Sequence, residues 1–264
     1  NFKRRVLILL LLLFIAVIIA LIKGAADIPI VKLFREENQV IFNLRLLRIV
    51  TAILAGSGLA VSGIALQAIL RNSLAEPYLL GTSSGAGLAA VIAVVIGLSR
   101  VYIPLAAFTG AVASIILVYN MAREKNRFSD QSLILSGVIV SVVLSAVIVF
   151  LVSIFGNRAR HEIIWWLWGS LQVYDYRLVG IVAAVVVPGV MAIYFFSQDL
   201  NAFAMGEEHA RHLGIDTHNV RKILILITAL ITASLICICG IIGFVGLIVP
   251  HIMRMVAGPN HRSL

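Results

Sequence analysis

The chain has 264 residues, of which 61% are hydrophobic and only 12% are charged, whereas an ordinary soluble domain carries about 25% charged residues. This composition excludes a water-soluble globular protein, because a chain of this size cannot bury so much apolar surface. The net charge of +9 does not indicate a nucleic-acid partner, since Lys and Arg lie in short segments between apolar blocks and not on one solvated face.

The apolar blocks are unbroken and lack the alternation of a β-barrel, and seven of them are long enough to cross about 30 Å of hydrocarbon as helices. In chain order they comprise residues 6–22, 49–70, 81–98, 101–119, 133–155, 178–196 and 223–239. An eighth stretch, residues 240–253, is too short for both a turn and a full span, and it predicts a turn followed by a short or broken helix. The predicted fold class is therefore an all-α, polytopic membrane protein.

Lys3, Arg4 and Arg5 precede the first block, which is longer than the apolar region of a usual signal peptide. We therefore predict a retained first helix with its N-terminus in the cytoplasm. In this orientation the cytoplasmic segments hold more than half of the 21 Lys and Arg residues, in the direction of the positive-inside rule.

Ionisable residues are nearly absent from the predicted spans, apart from Arg45 and Arg48 at one end of a helix. Ion-coupled carriers usually keep carboxylates, His or Lys at membrane depth, so this absence weighs against secondary transport. The chain contains no HExxH motif and no GxxxxGK[ST] nucleotide-binding motif. Cys237 and Cys239 point to different sides of a helix, and we interpret them as packing residues. No metal or other cofactor is expected to bind to this chain.

Small residues recur every four positions in two predicted helices, and such stripes predict close helix packing. The stripes are Ala52, Gly56 and Ala60 in one helix and Gly81, Gly85 and Ala89 in the other.

Residues 199–216 form a polar segment between two predicted spans. Within it, residues 207–213 are predicted to form a short helix, with Glu207 and Glu208 in its first turn and Gly214 as its C-terminal stop. Ala210 and Leu213 would give this helix a small apolar face, suited to a groove on another protein. On the residues alone, an ordinary solvated connector is an equally good interpretation.

Four segments resemble, in order and spacing, the FecCD/BtuC family of permease subunits from iron-siderophore, haem and cobalamin ABC importers. They are residues 45–81, 165–171, 206–214 and 243–251. The resemblance covers essentially the whole chain. It implies a BtuC-like bundle in which residues 1–264 form a single transmembrane permease domain, with about eight of the family's ten helices present and the C-terminal ones missing.

The resemblance also implies the partners and the location. Residues 199–216 would be a cytoplasmic coupling segment that docks on a dimer of ABC ATPase subunits, which use ATP and Mg²⁺. A second permease copy, in a homodimer, and a periplasmic or lipid-anchored substrate-binding protein would complete the complex. The expected location is the prokaryotic cytoplasmic (inner) membrane, with several passes through the membrane lipids.

Site residues follow from the same resemblance. The expected ATPase contacts are Gly206, Glu207, Glu208, Ala210, Arg211, Leu213 and Gly214. Arg45 and Arg48 would dock the binding protein, although snorkelling toward lipid headgroups also fits these two residues. The gate and pathway would include Asn72, Leu74, Ser129, Asp130, Gln131, Gly243, Gly246 and Pro250.

The expected function is import of an iron-siderophore or related metal chelate by a transport subunit that is not itself an enzyme. The alternatives are a cobalamin or haem importer permease of the same family, an ion-coupled secondary transporter, and a membrane scaffold without transport of its own. Co-purification with an ATPase would count against the ion-coupled carrier, and uptake into vesicles would count against the scaffold.

Overall fold

A computed structural model describes residues 2–24, 38–124, 127–128, 130–155, 163–164 and 166–263. The described residues include ten α-helices: α1 (Phe2–Ile22), α2 (Gln39–Ile69), α3 (Thr82–Val95), α4 (Ile103–Ala122), α5 (Asp130–Ile154), α6 (Tyr176–Phe195), α7 (Ser197–Met205), α8 (Glu207–His212), α9 (Thr217–Cys239) and α10 (Val245–Ala257). Short 3-10 turns at Pro77–Leu80 and Arg100–Tyr102 precede α3 and α4. Two antiparallel strands of two residues each, β1 (Arg123–Glu124) and β2 (Arg127–Phe128), precede α5. The predicted all-α class is confirmed.

Six of the described helical segments are long and apolar enough to cross a membrane: Arg4–Ile22, Gln39–Ile69, Arg100–Ala122, Asp130–Ile154, Tyr176–Phe195 and Thr217–Cys239. They confirm the polytopic class and six of the seven predicted spans. The third predicted span is wrong in length, because α3 has only 14 residues and rises about 21 Å. Gly81 and Gly97 flank it with positive φ angles of 76° and 74°, which the helix cannot continue through.

The eighth apolar stretch is confirmed as a turn, residues 240–244, followed by the short helix α10. Tyr78 donates its hydroxyl proton to the Ile242 carbonyl (2.9 Å) and accepts from the Ile242 N–H (3.2 Å). The Glu76 carboxylate accepts from the Phe244 N–H at 2.8 Å. The turn and the segment before α3 are therefore joined by three hydrogen bonds between side-chain and backbone groups.

Helices α2 and α9 form the centre of the bundle, since 61% of the apolar window of each is buried, against 0% for α1. Helix α9 packs against α2, α4 and α6. Helices α3 and α4 pack closely, and Gly85 and Ala89 of α3 lie against Gly110 of α4. This contact confirms that the second small-residue stripe packs helices together.

The stripe on α2 behaves differently. A side chain at Gly56 would meet no other atom within 4 Å, whereas Gly63 lies against the backbone carbonyl of Gly246 in α10. Close contact on α2 therefore falls outside the stripe that the sequence indicated.

Replacing Gly63 with Ala should destabilise the protein, because the new methyl group would collide with the Gly246 carbonyl and push α10 away from α2. Overpacking of this kind costs about 1–3 kcal/mol, so the apparent Tm in detergent should fall by roughly 2–12 °C. Gly56→Ala, the same change in open space on the same helix, should leave Tm unchanged or raise it. Equal losses in the two variants would contradict this account.

Candidate functional site

Helices α7 and α8 form a sharp corner at one end of the bundle. Gly206 has a φ angle of 127° and separates the two helices, and Gly214, with a φ angle of 82°, follows the end of α8. Glu207 and Glu208 occupy the first turn of α8. The short helix predicted at residues 207–213 is therefore confirmed, with its C-terminal end one residue earlier.

The two faces of α8 differ from the prediction. Ala210 is fully buried, so it packs into the chain and cannot form part of an outward apolar face with Leu213. Leu213 is 60% exposed, and Met205, just before the corner, is 64% exposed. Glu208 and His209 are exposed as well. The outward surface, which we call the α8 face, consists of Met205, Glu208, His209 and Leu213.

Glu207 is turned away from the α8 face, toward α9. Its Oε2 lies 2.8 Å from Arg221 Nη2 and its Oε1 lies 2.6 Å from Arg211 Nη2. Burial by itself raises the pKa of the Glu207 carboxyl, but the hydrogen bonds and charges of Arg221 and Arg211 outweigh it and leave the pKa below its usual value. The carboxylate is therefore ionised at neutral pH and holds α8 against the start of α9.

The guanidinium of Arg221 also contacts Asp130, the first residue of α5. Arg221 Nη2 lies 3.3 Å from Asp130 Oδ1, and Arg71 Nη2 lies 3.2 Å from Asp130 Oδ2. Ion pairs thus join α8, α9, α5 and the end of α2. We call this end of the bundle the α8 end.

Three of the predicted gate residues, Asn72, Asp130 and Gln131, come together around a shallow recess of about 440 Å³ at the α8 end. The Asn72 side-chain oxygen accepts from the Leu74 N–H at 2.9 Å. This bond fixes a tight turn and leaves Leu74 71% exposed. Ser129 lies outside the described residues.

The glycines and proline expected along the pathway lie in and after the 240–244 turn. Gly246 and Pro250 are buried in α10, and Gly246 lies against Pro77 and the Leu59 carbonyl. Gly243 is exposed, with open space where a side chain would lie. The structure connects this turn to the segment before α3, through the bonds of Tyr78 and Glu76 described above.

Arg45 and Arg48 lie at the opposite end, but their environments differ. Arg45 is 8% exposed and donates to the carbonyls of Leu21 (2.6 Å) and Ile22 (3.0 Å), so it caps the C-terminus of α1. Arg48 is exposed and shares a cavity of about 470 Å³ with Lys23 and Arg45. The charged residues among the described lining of this cavity are these three cations.

Sequence reasoning missed Arg221 and Arg71, which join the predicted coupling and gate residues. Arg221 is 6% exposed at the start of an apolar helix. The one sequence feature that could have indicated these ion pairs is a cation next to a long apolar run. A cation is almost never buried without a partner, so such a residue predicts an acidic neighbour. The partners lie 14 and 91 positions away along the chain, so their identity could not be read from local spacing.

Gly81, Ser83 and Gly85 match the spacing of the GxSxG pattern found at the catalytic serine of many hydrolases. That pattern positions a serine on a turn between a strand and a helix, whereas here a 3-10 turn precedes α3. Gly85 packs against α4 instead. The match therefore reflects helix packing.

His261 holds the segment after α10 against α7. Its backbone N–H and its Nδ1 lie 2.9 and 2.7 Å from the Asn201 side-chain oxygen. Asn201 Nδ2 donates in turn to the Asn260 side-chain oxygen at 3.0 Å. Burial, reinforced by the charge of Arg254, lowers the pKa of His261 to about 4, so the imidazole is neutral at physiological pH.

This contact should weaken in acid. Between about pH 6.5, where a free imidazole titrates, and pH 4, the unfolded chain binds more protons at His261 than the folded chain does. Stability must therefore fall as pH decreases through this window, by at most about 1.4 kcal/mol per pH unit. The measurement is the difference in Tm between the parent and His261→Gln at several pH values. The parent's advantage should shrink from pH 7.5 to pH 5, and an advantage that is constant or larger at pH 5 would contradict the assignment.

The six helices that are long and apolar enough to cross a membrane are the mark of a multi-pass membrane protein. A model of the FecCD transport family matches residues 11–264, and the chain belongs to that family. It therefore belongs to a family of transport proteins. The predicted BtuC-like bundle is confirmed.

Two relatives and one solved structure illustrate the similarity. The chain is 38% identical over 231 residues to the cobalamin import system permease protein BtuC of Halobacterium salinarum, covering 87% of this chain and 62% of that protein. It is 33% identical over 266 residues to the vitamin B12 import system permease protein BtuC of Serratia proteamaculans, covering 99% of this chain and 79% of that protein. A structure described as an inward-facing conformation of a metal-chelate type ABC transporter has a TM-score of 0.88 and 31% identity, covering 100% of this chain and 84% of the other. The chain thus spans less than two thirds of the Halobacterium relative.

Proposed function

We propose that this chain is the membrane-spanning subunit of a binding-protein-dependent ABC importer that carries a large metal chelate into the cytoplasm. The observation that carries the proposal is the α8 end. There, a short helix with an exposed, mixed apolar and polar face is fixed by partly buried ion pairs to the residues that line a recess. Such an arrangement suits a subunit that receives movement from a partner and passes it into the bundle.

The proposed partner at the α8 face is a dimer of ATPase subunits, which bind and hydrolyse ATP with Mg²⁺. Leu213 and Met205 offer exposed apolar contacts, and Glu208 adds a charge beside them. A short helix with an apolar anchor fits a hydrophobic groove on a partner. In this proposal residues 199–216 form the coupling segment, the chain itself binds no cofactor, and both the α8 end and the N-terminus lie in the cytoplasm.

The opposite end would receive the substrate-binding protein. Arg48 and Lys23 line a cavity at this end, and arginine binds carboxylates on a partner with two parallel hydrogen bonds. Arg48 is the better contact of the two predicted arginines, because the guanidinium of Arg45 already caps α1. A second permease copy, with the cargo path between the two copies, would complete the complex in the prokaryotic cytoplasmic membrane.

The inner mouth of the path would be the recess of Asn72, Asp130 and Gln131, with the exposed Leu74 close to it along the chain. The turn that contains Gly243 would border the path with Gly246 and Pro250. For the cargo we propose cobalamin first, because permeases named for cobalamin or vitamin B12 import are 32–38% identical to this chain. A ferric siderophore is the second candidate, favoured by the similarity to a metal-chelate type transporter.

Docking on the α8 face can be tested with Leu213. Leu213→Asp places a charge where the proposal requires an apolar contact, and loss of a well-buried anchor costs about 2 kcal/mol or more. Co-purification of the ATPase subunit should therefore fall by at least about tenfold. Leu213→Met keeps an apolar side chain of similar volume and serves as the matched control. Undiminished co-purification with Leu213→Asp would contradict docking at this face.

Transport itself can be tested in proteoliposomes that contain the full-length permease, its ATPase and its binding protein. Radiolabelled cobalamin and a radiolabelled ferric siderophore are supplied separately, with and without ATP. The proposal predicts uptake of one of them that requires both ATP and the binding protein. Uptake driven by an ion gradient without ATP would indicate a secondary carrier, and no uptake from a verified complete complex would indicate a non-transporting subunit.

A further inference from the structure

The side chain of Arg221 lies where four helices meet. It is 8% exposed, and its Nη2 contacts Glu207 in α8 at 2.8 Å and Asp130 in α5 at 3.3 Å. Its guanidinium carbon lies 5.8 Å from the ring centroid of Phe203 in α7. One buried cation of α9 therefore contacts the first residue of α8, the first residue of α5 and the helix that precedes α8.

Each carboxylate that contacts Arg221 also binds a second arginine. Arg211 binds the second oxygen of Glu207 at 2.6 Å, and Arg71 binds the second oxygen of Asp130 at 3.2 Å. These outer arginines are 65% and 50% exposed, so water screens their pairs. Among the described residues, Arg221 is the buried member of the series and the one that contacts both carboxylates.

Both carboxylates approach the same nitrogen of Arg221. The Nε of this residue is buried, and no described residue offers it an acceptor. A guanidinium usually binds one carboxylate with two nitrogens, in a planar fork. Here Nη2 contacts both carboxylates and Nε contacts neither, so the two-nitrogen pairing is incomplete. A second arrangement is therefore available, in which Nε and Nη2 both bind one carboxylate after the other has moved away.

We propose that Arg221 is a positioning residue that transmits movement of α8 to Asp130 at the recess. The proposal rests on the proposed function, in which the ATPase moves α8 and the recess is the inner mouth of the path. When α8 moves outward, Glu207 leaves Nη2, and the guanidinium binds Asp130 with both Nε and Nη2. When α8 returns, Nη2 again contacts both Glu207 and Asp130. The position of the first turn of α5 then depends on the position of α8.

The test is the number of cargo molecules imported per ATP hydrolysed, in proteoliposomes that contain the complete complex. The cargo is radiolabelled cobalamin or ferric siderophore, whichever the parent imports. Arg221→Lys keeps the charge but loses the fork, so the ratio should fall about tenfold while ATPase association is retained. Lys222→Gln removes an exposed charge at the next position of α9 and should keep the parent ratio.

A double-mutant cycle provides the second readout. Glu207→Gln and Asp130→Asn should each lower the ratio, and the double variant should lower it no further, because both carboxylates act through the same guanidinium. Additive losses, or an unchanged ratio in Arg221→Lys, would overturn this inference while the proposed function stands. A parent complex that hydrolyses ATP without importing cargo would overturn the proposed function, and this inference with it.

Discussion

Within hydrocarbon, a backbone N–H or C=O group has no water to bond to, so every such group must find its partner inside the protein. Most of the described chain meets this constraint with helices. The described backbone is irregular in several places, among them the segment before α3 and the turn before α10. These segments lie against each other, and the hydroxyl of Tyr78 and the carboxylate of Glu76 bond to the backbone of the turn. Gly63 and Gly246 allow the close approach of α2 and α10 beside it.

The same constraint moves the described charges to the two ends of the bundle. At one end, Arg45 caps α1 and lines a cavity together with Lys23 and Arg48. At the other end, Arg221 lies between two carboxylates and joins the exposed helix α8 to the recess. A buried pair of this kind contributes little net stability, because desolvation offsets the attraction, yet removal of one partner is strongly destabilising. It therefore fixes the relative position of helices more than it strengthens the fold.

Much of this organisation could be predicted from the sequence, because it depends on local pattern. Unbroken apolar blocks give the spans, and Glu207, Glu208 and Gly214 mark the limits of α8. The predicted length of α3 and the predicted outward position of Ala210 were wrong for physical reasons. Glycines flanking α3 end the helix although the apolar composition continues, and Ala210 faces inward because it follows Glu207 by three positions on the same side of α8. The cap on α1 and the ion pairs of Arg221 join residues far apart along the chain, which no local spacing reveals.

In the proposed complex, the α8 face binds an ATPase and the opposite end binds a substrate-binding protein. A cryo-electron-microscopy structure of the complex, purified by way of the permease, would show where each partner binds. The account predicts ATPase density against Met205, Glu208 and Leu213, with the binding protein beside Arg48. A complex in which the α8 face is exposed to solvent, or in which both partners bind the same end of the bundle, would contradict it.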